Sequence, residues 1–184
     1  LASDLNAGVF HTYSIAGGDL LNELYQSPTA TGEIRVVHPS YITNAEAGDD
    51  RLSKFFKRDD APSQSGLSGE YGFAVYSSNT DPIAIVRNEE LVLLYAEANI
   101  QKGGANLIIG KDALNALRSV HGLGPTSAAT QAELIDEMLK QRSYSLYGEG
   151  HRWVDMRRYG KLGDLPIDRA GDDVWDRFPR PNDE

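Results

Sequence analysis

Three charged residues interrupt apolar patterns in this chain, and they are the first candidates for chemistry. Glu97 stands within Leu91-Val92-Leu93-Leu94-Tyr95-Ala96-Glu97-Ala98. Arg142 falls on the apolar stripe between Leu139 and Leu146, and Arg152 directly precedes Trp153. A carboxylate or guanidinium withdrawn from water needs a partner, because stranding one member of a buried pair costs about 3–5 kcal/mol. One outcome is a structural ion-pair cluster, in which Glu97 and Glu149 face Arg118, Arg142 or Arg152. The other is a catalytic acid or base tuned by burial. Each acid has more than one arginine available, which favours the structural cluster.

Other chemical signals are thinner. His151 lies beside Glu149 and Asp155, a set that could ligate a metal, but His11, His38 and His121 are scattered. A solvated helix end accounts for His151 without a metal. No Ser, His and Asp combination sits in a nucleophile-elbow context. Gly66-Leu67-Ser68-Gly69 lacks the lysine and the length of a phosphate loop. The pair Arg157-Arg158 reads as solvent-facing or as paired with Asp155. Neither a metal nor a cofactor is called for.

The elements that must position these groups begin near residue 88. Asn88 is placed to cap a helix to residue 102 that is apolar on nearly every face, so it should be buried and central. Gly103-Gly104 can close it with a left-handed turn. A second helix is expected over 111–121, with Ala113, Leu114, Leu117 and Val120 on one face. The third opens on a capping box, Thr130-x-x-Glu133, carries Leu134, Ile135, Met138, Leu139 and Leu146, and ends near Gly148. A short fourth helix covers about 151–159, and the rest, with Pro166, Pro179 and Pro181, is extended or irregular. The first two helices are similar to one hairpin of a tetratricopeptide array, which cannot bury a continuous core alone.

Residues 1–82 read differently. Short apolar runs are broken by Gly, Pro, Ser and Asp. Asp19 could cap a short helix through Tyr25. Residues 34–38, 52–56 and 73–76 read as short strands, and 59–72 as an exposed loop. The division is a loop-rich stretch over 1–82 and a helical stretch over 83–184, together one domain or part of one.

Composition sets outer limits. The 184 residues carry a net charge of −9, which disfavours nucleic acid and anionic lipid as partners. There is no cysteine, so disulfides and thiolate metal sites are excluded within the chain. No apolar run reaches the length of about 18 residues that spans a membrane. A start at Leu1-Ala2-Ser3-Asp4, without Met or a leader pattern, suggests a fragment or processed product whose targeting signal lies upstream.

Four ordered segments resemble the SusD/RagB family. They are Val86-Arg87 with Leu93-Leu94-Tyr95-Ala96-Glu97-Ala98; Leu114-Asn115-Ala116-Leu117-Arg118 with Gly122-Leu123; Arg142 followed by Gly148-Glu149-Gly150-His151-Arg152-Trp153-Val154-Asp155-Met156-Arg157-Arg158-Tyr159-Gly160; and Phe178-Pro179-Arg180-Pro181-Asn182-Asp183-Glu184. Asp49-Asp50-Arg51-Leu52 fits the place of an Asp-Arg pair in that family. Gln141 and Ser145 stand where the family carries glutamates. The strong resemblance covers about residues 83–184.

The resemblance implies a mainly α fold of SusD type, with tetratricopeptide-like helix pairs, a few short strands and long loops. It implies a non-enzymatic binding protein on the outer face of a bacterial outer membrane, held by lipid on an N-terminal cysteine absent from this chain. Its partners would be an oligosaccharide or polysaccharide (or another nutrient) and a TonB-dependent outer-membrane transporter. A glycan-acting hydrolase and a protein-binding helical adaptor are the rival functions. Ligand contacts in the family come from variable loops, and aromatic rings suit the apolar faces of sugars. Tyr13, Tyr41 and Tyr71, in the loop-rich stretch, are the ligand-binding candidates. Tyr95, Tyr144, Tyr147 and Trp153 are read as packing residues.

Overall fold

The apolar spacing from residue 88 onward folds as helix. A computed structural model describes residues 4–32 and 34–178; the closing motif from Pro179 onward lies outside the described residues. Helix α2 follows a short first helix, α1 (Ser40–Thr43), and runs Asn88–Lys102. Glu89 and Glu90 occupy its first turn and Lys102 its last, matching the helix dipole. Gly103, at φ +69°, closes it, its N–H donating to Asn99 and Ile100. Helix α3 (Asn106–Val120) begins earlier than the expected residue 111, because Leu107 and Ile108 continue the apolar spacing. Gly110 sits where α3 crosses α2. A Cβ there would meet Ile100 Cγ1 at 2.6 Å, so the residue permits close helix packing.

Helix α4 (Gln131–Ser145) starts at the expected capping box, with Thr130 and Glu133 each serving the other's backbone. Helix α5 (Arg152–Arg158) is short. The core lies between α2, α3 and α4: Leu93, Ile100, Leu114, Leu117, Leu134 and Met138 are almost wholly excluded from solvent. One expectation fails on α2. Leu91, Leu94 and Tyr95 are 49%, 41% and 50% exposed, because α3 and α4 pack on only part of the helix circumference.

Among the described residues, the loop-rich stretch holds short antiparallel pairs and no large sheet. Strand β1 (Gly8–His11) pairs with β6 (Ile83–Arg87), β2 (Phe55–Lys57) with β5 (Tyr71–Phe73), and β3 (Ser63–Gln64) with β4 (Leu67–Ser68). Residues 34–38 contribute only a bridge between Val36 and Gly72. Residues 50–54 form a 3₁₀ turn, capped by the Asp49 carboxylate, and the strand follows it. The helix after Asp19 does not form. Its carboxylate accepts from Ser14 and Leu20 instead, and the chain runs through separate turns at 16–19 and 22–25.

Candidate functional site

A cleft of about 670 Å³ opens between α1, α4, α5 and the segment after α5. Tyr41 enters it from α1, and Leu139, Ser143 and Tyr144 from α4. Arg152 and Met156 contribute from α5. Aromatic packing seats Tyr41: its ring meets Tyr144, Tyr147 and Phe55 edge-on at 5.5, 4.7 and 5.9 Å between centroids. The Tyr144 hydroxyl donates to the Tyr41 carbonyl at 3.1 Å. Burial pushes the Tyr144 and Tyr147 phenols up to about 12 and raises Tyr41 as well. All three phenols therefore stay protonated at neutral pH.

Most charged side chains around the cleft are engaged in ion pairs. Lys161 bridges Asp136 at 2.9 Å and Asp164 at 3.9 Å. Lys140 reaches Glu46 at 2.9 Å, and His38 contacts Asp168 and Ser40. Arg152 is half-buried and forms no hydrogen bond or ion pair with a described residue.

The expected single ion-pair cluster is four separate groups. Glu97 is buried as anticipated, but its partners are Arg158 at 2.9 Å and the Tyr159 hydroxyl at 2.6 Å, not Arg118, Arg142 or Arg152. Its position on α2 faces the end of α5, which carries those two residues. Arg118 holds Glu46 and Glu137, each at 2.6 Å. The Arg118 hydrogen bond holds the Glu46 carboxyl down to about 2. Arg142 pairs with Asp155 at 2.8 Å, and its Nη1 is buried without a described partner.

The fourth group is the largest, and its centre is in residues not expected there. Arg87 binds Glu89, Glu149 at 2.8 Å and the Ser145 carbonyl at 2.6 Å. Arg51 joins the Asp49 carboxylate at 2.7 Å to the Ser145 hydroxyl at 2.9 Å. His121, scattered from the other histidines in sequence, spans Asp50 and Glu89 at 2.7 and 2.9 Å. Burial would push Glu89 up, but His121 and Arg87 prevail and hold it at about 2. Lys54 donates to the carbonyls of Tyr144 and Ser145 at the end of α4, and burial lowers it to about 8. The small Ser145 makes room for Arg51, Lys54 and Arg87 around the helix end. Asp49-Arg51 and the Arg87 before α2 were visible as motifs, but no spacing rule joins segments nearly a hundred residues apart.

Of the three tyrosine candidates, the structure brings Tyr41 to the cleft. Tyr13 stacks edge-on with His11 at 4.7 Å, and Tyr71 lies in β5; neither lines this cleft. Tyr144 and Tyr147, read as packing residues, form the wall behind Tyr41. Trp153 lies under the Arg157 guanidinium and donates to the Trp175 carbonyl at 2.7 Å. The His151 ring lies 3.9 Å from the Glu90 carboxylate. Among the described residues, no three His, Cys, Asp or Glu side chains converge on a metal position, and no helix is long and apolar enough to cross a membrane.

The SusD family model matches residues 43–179. A crystal structure of a SusD superfamily protein from Bacteroides vulgatus superposes with a TM-score of 0.50 and 26% identity, covering 66% of this chain and 28% of that one. A second, from Parabacteroides distasonis, gives a TM-score of 0.51 over 67% of this chain and 31% of that one; at 20% identity it speaks to the fold alone. The chain thus spans less than a third of the length of either. No curated protein matches it. The family match over most of the chain, with the helical arrangement described above, makes this chain a member of the SusD family.

Proposed function

We propose that the chain is part of a binding protein on the outer face of a bacterial outer membrane. It captures a glycan or other nutrient and delivers it to a TonB-dependent transporter, without chemistry of its own. In this reading a lipid on an N-terminal cysteine outside the chain supplies the anchor. The observation that carries the proposal is the cleft beside Tyr41. Its volume lies within the range of about 300–1,000 Å³ that small-ligand sites occupy. It pairs aromatic surface with the polar side chains of Ser143 and Asn44, the combination that suits a sugar's apolar face and hydroxyl rim.

A glycosidase would need two carboxyl groups about 5–10 Å apart, one of them kept protonated by its surroundings. The carboxylates lining this cleft, Asp136 and Asp164, are largely exposed and both contact Lys161, so neither has the apolar enclosure that such a role requires. That arrangement supports binding over hydrolysis.

The test is titration calorimetry of the full-length protein against a panel of polysaccharides and oligosaccharides. Tyr41→Ala should weaken the best ligand by about tenfold, a loss consistent with one aromatic contact and its ordering effect. Unchanged affinity in a folded variant removes the cleft from the site, and a panel with no binder removes the saccharide reading.

A further inference from the structure

We propose that the cleft beside Tyr41 selects a saccharide that carries a carboxylate, with Arg152 as the group that receives it. The inference rests on the saccharide reading of the same cleft and adds the ligand's charge.

The argument begins with the charges on the cleft wall. Asp136 and Asp164 share Lys161, and Lys140 is occupied by Glu46. His38 is engaged through both ring nitrogens, with Ser40 and Asp168. What remains is one guanidinium, Arg152, half-buried and without a described partner. An arginine keeps its charge at any pH a protein meets, so it cannot relieve partial burial by losing a proton. The other buried arginines have all found acids: Arg51 has Asp49, Arg87 has Glu89 and Glu149, Arg118 has Glu46 and Glu137, and Arg142 has Asp155. Arg152 is the exception, and it is the one that lines the open cleft.

Geometry supports a carboxylate in particular. The guanidinium fork offers parallel donors that match the two oxygens of a carboxylate, which a hydroxyl cannot do. Arg152 and Tyr41 line the same cleft. A ring resting on Tyr41 could therefore present an acidic substituent to Arg152 within one cleft. A hexuronate unit has this form, with an apolar ring face and a carboxylate at its rim. The net charge of −9 does not prevent its approach. At physiological salt, charges more than about 8 Å away are largely screened, so the groups lining the cleft decide.

The experiment uses the full-length protein and two probes, a tetragalacturonate and the neutral tetrasaccharide made by reducing its carboxyl groups. Calorimetry gives the ratio of acidic to neutral affinity. We expect a ratio of about ten or more at low salt, falling as salt is raised. In Arg152→Gln the ratio should drop about tenfold, and Arg152→Lys, which keeps the charge but not the fork, should fall between. Thermal melting checks that each variant folds. If Arg152→Gln does not, Arg152→Lys and the salt dependence of the wild type carry the decision.

Equal affinities for the two probes, or a ratio that Arg152→Gln and Arg152→Lys leave unchanged, overturn the proposal. So does a glutamate hexapeptide that binds more tightly than either saccharide. If neutral glycans of the wider panel bind while the acidic probe binds no better, the charge preference alone fails. If no saccharide binds at all, the underlying reading fails with it.

Discussion

The stretch before residue 83 and the stretch after it are held together by different forces. In the helices, Leu93, Ile100, Leu114, Leu117, Leu134 and Met138 form a dry apolar interior. Among the described residues of the earlier stretch, the buried apolar side chains are Val37 and Phe55. That stretch is tied down instead by multi-donor polar groups. Asn22 donates to Asp81 and accepts from Leu24, and Arg58 reaches the carbonyls of Pro28 and Ala30. Arg51 and Lys54 are docked on the end of α4. Irregular backbone leaves N–H and C=O groups that no ladder satisfies, and long polar side chains supply the missing partners. An apolar interior spreads its contribution over many small contacts, whereas a polar anchor depends on a single geometry.

The contrast predicts that the largest effects come from anchors. Arg51→Ala leaves the buried Asp49 carboxylate without its partner and should cost about 3–5 kcal/mol in urea unfolding. The double variant Asp49→Ala, Arg51→Ala should recover part of that loss. A double variant no more stable than the single one would break the comparison. Acid gives the next effect. Glu46 is held at about 2 by Arg118, and Asp49 is lowered because Arg51 outweighs burial. Carboxyls lowered in the fold contribute stability that is whole above about pH 4.5 and is lost as the pH falls toward 2. Half-exposed Glu46 is partly screened, so the expected loss is on the order of 2 kcal/mol. The near-ultraviolet signal of the tyrosine cluster should therefore fade at a higher pH than the far-ultraviolet helix signal. Coincident loss would show that the two stretches share one source of stability. The smallest effect belongs to Thr130→Ala. It removes one half of the α4 capping box and should cost about 1 kcal/mol by thermal melting, because the apolar interior persists.

The same division explains what could be read from the sequence. Helices α2, α3 and α4 were legible because their information is local: a capping box at Thr130, a glycine stop at Gly103, apolar residues at helical spacing. The exposed face formed by Leu91, Leu94 and Tyr95 was not, since composition cannot say how much of a helix its neighbours cover. Strand β1 escaped notice because it is four exposed residues whose register is set by β6, more than seventy positions away. In the cleft, Tyr41 was visible as an aromatic in a loop-rich stretch. That Arg152 finds no partner among the described residues was not, because it depends on where Glu97 and Glu149 found theirs.

The attachment of Lys54 to the last carbonyls of α4 has a consequence for the order of folding. Those carbonyls are free to accept only because the helix stops at Ser145, so the docking point does not exist until α4 has formed and ended. The helices close contacts over short sequence distances, while Lys54, Arg51 and Tyr41 reach partners 90 to 103 residues away. Contacts of such separation form late, since the loop entropy must be lost before they return anything. The cleft beside Tyr41 should therefore assemble late in folding. Amides of α2 to α4 should gain hydrogen-exchange protection before those of residues 50–57.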